Sequence, residues 1–171
     1  MNSSVQIRTV SLEDEEAVRA VILRMLEDAP MAFGETLAEA RGRSQQEWRA
    51  IVEHMIRPGA TALLASDELG ACGFLYADSA NPEAPPETVV ISRVWVAERQ
   101  RGSGLGRRLM ETAAEWSAQQ HVSMLALGVT EMNVDALQFY EHLGYRQLGM
   151  RMPWPPDPTK QIILMGRELG A

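Results

Sequence analysis

The stretch TVVISRVWVAERQRGSGLGRRLMETAAEW, residues 88–116, decides the fold. Thr88 to Ala97 is the most strand-like segment of the chain, carrying Val89, Val90, Ile91, Val94 and Val96. Three glycines, Gly102, Gly104 and Gly106, then interrupt it, and the apolar spacing beyond them predicts a helix from about Leu105 to Gln120. A second β-like run follows at Met124 to Val129. Strand, helix and strand at this spacing make a right-handed crossover, so the two strands should be parallel neighbours.

Working outward, the upstream sequence predicts a strand at Gln6 to Val10 and a helix capped by Ser11 that runs to about Asp28. Its buried face is Ala17, Val18, Val21, Ile22, Met25 and Leu26, and Pro30 ends it. Met31 to Arg43 reads as a bent connection or short helix. Ser44 to Ile56 reads as a helix closed by Pro58 and Gly59. Thr61 to Ser66 and Cys72 to Ala77 form a hairpin across Asp67 to Gly70, and the prolines of Asn81 to Pro86 mark a loop.

Downstream, Val134 to Leu143 is helical and Tyr145 to Arg151 is strand-like. Pro153, Pro155, Pro156 and Pro158 predict a rigid loop, and Gln161 to Arg167 is the last strand. A hairpin, a βαβ unit and a second hairpin give an α/β (α+β) architecture, a mixed sheet with helices on both faces.

Composition narrows the function classes. The 171 residues suit one domain, 1–171, and 46% hydrophobic and 23% charged residues are ordinary for a globular chain. No apolar run reaches membrane-spanning length, and Met1 to Val10 lacks the basic-then-apolar pattern of an export signal, so a cytoplasmic protein is expected. The single cysteine, Cys72, reads as a small core residue. His54, His121 and His142 lack metal-ligand spacing, and no metal is expected. A formal charge of −7 disfavours nonspecific nucleic-acid binding. Locally the balance reverses: Arg93, Arg99, Arg101, Arg107 and Arg108 face only Glu98 between residues 93 and 108, which suggests a small anionic ligand.

The glycine turn supplies the place for that anion. Glycines admit positive φ and close backbone approach, and the first amides of the following helix have no partner within it. Arg101, Gly102, Ser103, Gly104, Leu105, Gly106 and Arg107 thus present N–H donors and charge at the positive end of a helix dipole, a site for phosphate. The spacing is G-x-G-x-G, not the G-x-G-x-x-G of dinucleotide sites, and the nucleoside-triphosphate loop is absent.

A second motif lies at Asn133, a good N-cap, with Asp135 in the first helical turn. Ala136, Phe139, Tyr140 and Leu143 share one face, and Gly144 ends the helix. With Arg101-x-x-Gly104-x-Gly106 after Val94-Trp95-Val96, and Asn133-x-x-Ala136-x-x-Phe139-Tyr140 before Gly144-Tyr145, the chain resembles the GCN5-related N-acetyltransferase (GNAT) family. The resemblance covers about a third of the chain and also its order of elements.

The resemblance implies a mostly antiparallel sheet whose two central parallel strands, Thr88 to Ala97 and Met124 to Val129, splay apart to admit acetyl-CoA. Pantetheine would bond main-chain groups of Val94 and Val96, the pyrophosphate would rest on the amides of Gly102 to Arg107, and the Asn133 side chain would contact the cosubstrate. Direct transfer to a primary amine of a small molecule or a peptide N-terminus follows, with an oxyanion held near Val96.

Tyr140 is then the expected acid for the leaving thiolate, since tyrosine (~10) and thiol (~8.5) have comparable reference pKa values. The general base is open among Glu35, Glu39, Glu87 and water, and Trp154 is a candidate wall of the acceptor pocket. A homodimer is compatible with the resemblance. The alternatives are a CoA-binding sensor or scaffold without turnover and, opposed by the glycine spacing, a nicotinamide-dependent enzyme.

Overall fold

In the computed structural model, residues 4–170 are described, so the first residues of the Met1 to Val10 stretch, and Ala171, lie outside it. The elements in chain order are β1 (Gln6–Thr9), α1 (Glu15–Asp28), α2 (Leu37–Arg41), α3 (Gln45–Met55), β2 (Ala60–Asp67), β3 (Gly70–Asp78), β4 (Thr88–Val96), α4 (Leu105–Ala118), β5 (Met124–Thr130), α5 (Val134–His142), β6 (Arg146–Trp154) and β7 (Asp157–Glu168). One seven-stranded sheet, in the order β1-β2-β3-β4-β5-β7-β6, holds them together. All its pairings are antiparallel except the central β4–β5 pair, as the crossover required.

Local chemistry fixes the helix starts. Thr36 and Ser44 each accept the amide three residues on, from Glu39 and Glu47, while those carboxylates return to the capping residue's own N–H. Ser11 opens a single 3-10 turn, and Asp14 within it accepts from the Ser11 amide and from both terminal nitrogens of Arg8 at 2.6 and 2.7 Å. That fork ties β1 to the entrance of α1.

The sheet separates two apolar layers. A side chain at Gly73 would meet Leu105 and Leu109, so α4 covers that face of β3, while Tyr76, of opposite strand parity, faces α3. Val18, Ile22, Met25, Trp48 and Val52 fill the layer under α1 and α3, all 1% exposed or less. Cys72 is buried in the core, as expected. No helix among the described residues is long and apolar enough to cross a membrane.

The proline-rich segment departs from the sequence expectation. It is not a loop: β6 runs on through Pro153 to Trp154, only Pro155 and Pro156 form the turn, and β7 already includes Pro158. β6 is an edge strand, where a residue without an N–H costs no ladder bond on the open side.

Candidate active site

The site begins where the parallel pair ends. β4 and β5 pair only from Thr88↔Met124 to Ile91↔Leu127, although β4 continues to Val96 and β5 to Thr130. Beyond that point β5 follows β7 and β4 follows β3, so the two centre strands part company. A bulge directs the departure: between the pairs Tyr76↔Ser92 and Phe74↔Trp95, β4 spends three steps against two on β3. Arg93 takes the extra position with φ +53°, a left-handed conformation uncommon outside glycine. Ala97 donates its N–H to the Cys72 carbonyl across β3 at 2.9 Å. Strand alternation therefore turns the main-chain groups of Val94 and Val96 the other way, into the space that β5 has left.

The glycine turn closes the end of this gap. Gly102 (φ +77°) and Gly104 (φ +87°) have positive φ, and a Cβ at either would meet no atom within 4 Å, so the turn is open to a ligand. Gly106 serves differently: it lies within α4, and an added Cβ would come within 3.1 Å of the Phe139 ring of α5. Among the described residues, the amides of Gly102, Gly104, Gly106 and Arg107 donate to nothing, whereas Ser103 donates to Gln100 and Arg108 begins the helical ladder on Gly104. These donors stand at the positive end of a fourteen-residue helix.

The arginines of the basic island have other duties. Arg101 donates through Nη2 to Asp28 at 2.6 Å and through Nε to the Val96 carbonyl at 3.1 Å; Arg99 forks onto Asp67; Arg93 pairs with Glu35. Arg107 stands 3.8 Å from exposed Glu111, and Arg108 reaches the Val5 carbonyl. Asp28, which the sequence did not single out, also accepts from the Trp95 indole at 3.0 Å, so one carboxylate joins α1, β4 and the glycine turn.

Asn133 caps α5 by accepting the Ala136 amide at 3.2 Å, which occupies its oxygen and leaves its amide donors without a partner among the described residues. Tyr140 is 8% exposed, its ring edge-on to Phe139 and Tyr145, and its hydroxyl makes no hydrogen bond with the described residues. Burial, aided by Tyr145, pushes its phenol well above the ordinary tyrosine range. Tyr145 is pushed up to about 12 by burial, partly opposed by Arg167, and its buried hydroxyl is also without a partner.

The three candidate bases occupy different places. Both oxygens of Glu35 are held by guanidinium groups, one by Arg43 and one by Arg93. Glu39 is spent on the Thr36 cap, whose amide and hydroxyl hold its carboxylate below the usual range. Glu87 precedes the first residue of β4, nine residues and roughly 30 Å of extended chain from Val96, at the wrong end of the strand. Trp154 is a strut, not an open pocket wall: it is buried and donates to the Phe33 carbonyl at 2.7 Å, tying the β6–β7 hairpin to the α1–α2 connection. No group of three or more His, Cys, Asp or Glu residues that could hold a metal ion occurs among the described residues.

A cavity of about 450 Å³ lies beside the bulge, between α3 and the sheet, lined by Ala50, Ile51, His54, Met55, Tyr76, Ser92 and Arg93. Tyr76 at its base accepts from Arg57 at 2.8 Å and donates to Asp78 at 3.2 Å. The bulge and this arginine–glutamate cluster escape sequence reasoning, since Arg93 sits in an otherwise regular β pattern. Its positive φ has no residue-type marker.

Residues 22–145 match the sequence profile of the acetyltransferase (GNAT) family. The chain is 28% identical over 146 residues to the mycothiol acetyltransferase of Thermobispora bispora, covering 82% of this chain and 46% of that protein. The chain thus spans about half the length, or less, of the curated relatives it matches. Among solved structures, the acetyltransferase of GNAT family from Streptococcus pneumoniae superposes with a TM-score of 0.81 at 19% identity, over 98% of this chain and 100% of that one. A GNAT superfamily phosphinothricin acetyltransferase from Sinorhizobium meliloti, in complex with acetyl-CoA, gives 0.77 at 18% identity over 97% and 89%. At these identities the structural likeness concerns the fold.

Proposed function

The chain belongs to the acetyltransferase (GNAT) family, and on that premise we propose that it is an acetyl-CoA-dependent N-acetyltransferase acting by direct transfer on a primary amine. The observation that carries the reading is the conjunction of the free amides of Gly102, Gly104, Gly106 and Arg107 with the gap-facing main chain of Val94 and Val96, of which the Val96 carbonyl already accepts from Arg101. The first fits a pyrophosphate, because dispersed anionic oxygens need several convergent N–H groups. The second fits an amide-bearing arm, which can extend β4 where β5 has departed.

Acetyl-CoA supplies the acyl group as a thioester: the amine nitrogen bonds to its carbonyl carbon, the C–S bond breaks and the thiol leaves. The Val96 amide, directed into the gap, is the donor for charge developing on the carbonyl oxygen. Tyr140 holds its proton throughout the neutral range because burial opposes the phenolate, and it delivers that proton toward the departing sulfur. Burial disfavours a thiolate for the same reason, so the two groups remain matched although the phenol has moved from its solution value. With Glu35, Glu39 and Glu87 occupied or distant, water removes the proton from the attacking amine.

The test is release of free thiol from acetyl-CoA with pooled amines, amino acids and peptides, beside Tyr140→Phe. Release that depends on one pool and falls at least tenfold in the variant, equivalent to ~1.4 kcal/mol of lost transition-state stabilisation, supports the reading. Thermal stabilisation by acetyl-CoA with no release from any pool would instead favour a binding module without turnover.

A further inference from the structure

We propose that the acceptor carries a carboxylate, bound by Arg93 in the cavity beside the β4 bulge, and that it is an apolar α-amino acid or a close derivative. The proposal rests on the acetyltransferase reading and names its substrate class. Three observations carry it.

The cavity adjoins the reaction gap through the chain itself: Ser92 and Arg93 line it, and Val94, the next residue, faces the gap. The cavity thus borders, along β4, the segment proposed to receive the thioester. The cavity's size of about 450 Å³ suits a small molecule.

Its lining is cationic on one side and apolar on the other. No carboxylate lines it. Arg57 and Asp78, nearby, neutralise each other at 2.8 Å. Behind Arg93, the single charge of Glu35 is shared between Arg93 and Arg43, so this cluster keeps a net positive charge. A polyamine would meet no anion here, whereas a carboxylate would. Ala50, Ile51 and Met55 supply the apolar wall.

The donors are also vacant in the required geometry. Arg93 uses only Nη1 on Glu35, so its Nε and Nη2 make no hydrogen bond among the described residues. That edge is the one a carboxylate engages in parallel pairs. Glu35 fixes the Arg93 side chain, and the left-handed backbone at Arg93 aims it, which accounts for a strained non-glycine residue at this position.

The experiment compares L-methionine and L-leucine with L-methioninamide and L-leucinamide as acceptors, in wild type, Arg93→Asn and Glu35→Gln. Asparagine is chosen because it tolerates the positive φ. The expected result is a kcat/KM at least thirtyfold higher for the amino acids, carried by KM, and a preference that collapses to within threefold in Arg93→Asn. Glu35→Gln, which keeps an oxygen acceptor to hold Arg93 Nη1 but removes the competing charge, lowers KM for the amino acids relative to the amides. Should Arg93→Asn not fold, the melting temperature of CoA-loaded wild type with each acceptor replaces it, and only the amino acids raise it. Thiol release with amides or diamines as good as with amino acids overturns this proposal and leaves the acetyltransferase standing. Absence of release with every pool, this panel included, overturns both.

Discussion

Adding one methyl group at Gly106 tests whether α4 and α5 are registered tightly enough to place Tyr140. In Gly106→Ala the new Cβ would lie 3.1 Å from Phe139 Cζ, 3.5 Å from Cε2 and 3.7 Å from Val96 Cγ2. Carbon atoms prefer ~3.5–4.0 Å, so the Phe139 ring must retreat by roughly half an ångström. Two effects compete for stability. Alanine is favoured over glycine in a helix by up to ~1 kcal/mol, and overpacking costs about 1–3 kcal/mol.

The net expectation is a loss of about 1 kcal/mol, or about 3 °C in melting temperature for a chain of this length. The rate effect should be larger, because Tyr140 follows Phe139 and packs edge-on to it at 5.2 Å. A displacement of about half an ångström at Tyr140, the proposed proton donor, is worth on the order of tenfold in kcat. The assays are thermal unfolding and steady-state acetyl transfer, in wild type and in Phe139→Leu. With the shorter side chain in place the clash disappears, and the same Gly106→Ala change should become stabilising by a few tenths to ~1 kcal/mol. A higher melting temperature and unchanged kcat for Gly106→Ala in the wild-type background would refute the reasoning.

Gly104→Ala, at φ +87° in open space, should cost ~1–2 kcal/mol through the backbone and raise KM for acetyl-CoA about tenfold with kcat within twofold. Kinetics at varied acetyl-CoA check it. Trp154→Phe leaves the Phe33 carbonyl without its 2.7 Å donor and should cost ~1–2 kcal/mol in a urea titration. Asp14 is held at about 2, below its ordinary 3.8, first by its hydrogen bonds to Arg8. Its contribution is therefore full above about pH 4 and lost as pH falls through about 2. Discounted for the half-exposed Arg8, it is worth about 1 kcal/mol, and Arg8→Met should approach wild-type stability as an acid titration nears pH 2. Tyr140, Tyr145 and Tyr76 are all raised, chiefly by burial, so their stabilisation is present below pH ~10 and lost as pH rises beyond it; melting from pH 8 to 11.5 should decline less in Tyr140→Phe.

Sequence pattern reached the elements whose signals are local. The β4–α4–β5 crossover, the Asn133 cap and the Gly104 turn each follow from residue types whose backbone preferences are strong, and each stands where it was expected. The proline segment misled because four prolines within Pro153 to Pro158 outweigh alternation in any local reading. Only the sheet order shows that β6 is an edge, where proline is tolerated. At Gly106 the close approach expected of these glycines is made by Phe139 rather than by a ligand, a contact 33 residues away that no local rule contains. The acidic residues were the least legible. Glu35, Glu39 and Glu87 look alike as letters, and what separates them is which donor reaches each: two arginines, a capping threonine, or none near the gap.

The basic island makes the same point about charge. Five arginines against one acid suggest a cationic surface waiting for an anion, but three of the five are bound to Glu35, Asp67 and Asp28 from distant parts of the chain. Of the remaining two, Arg107 stands at an exposed glutamate and Arg108 is turned toward β1. In the proposed reading, attraction for phosphate therefore rests mainly on the unpartnered amides and the start of α4, a fixed array that would need no side-chain ordering when ligand arrives. Arg101 acts on that array indirectly. By joining Asp28 to the Val96 carbonyl, it holds the glycine turn in register with the strand that would carry the acyl group. The glycine turn and the end of β4, proposed to take the anion and the arm, are thereby tied together by one side chain, as a single ligand spanning both would require.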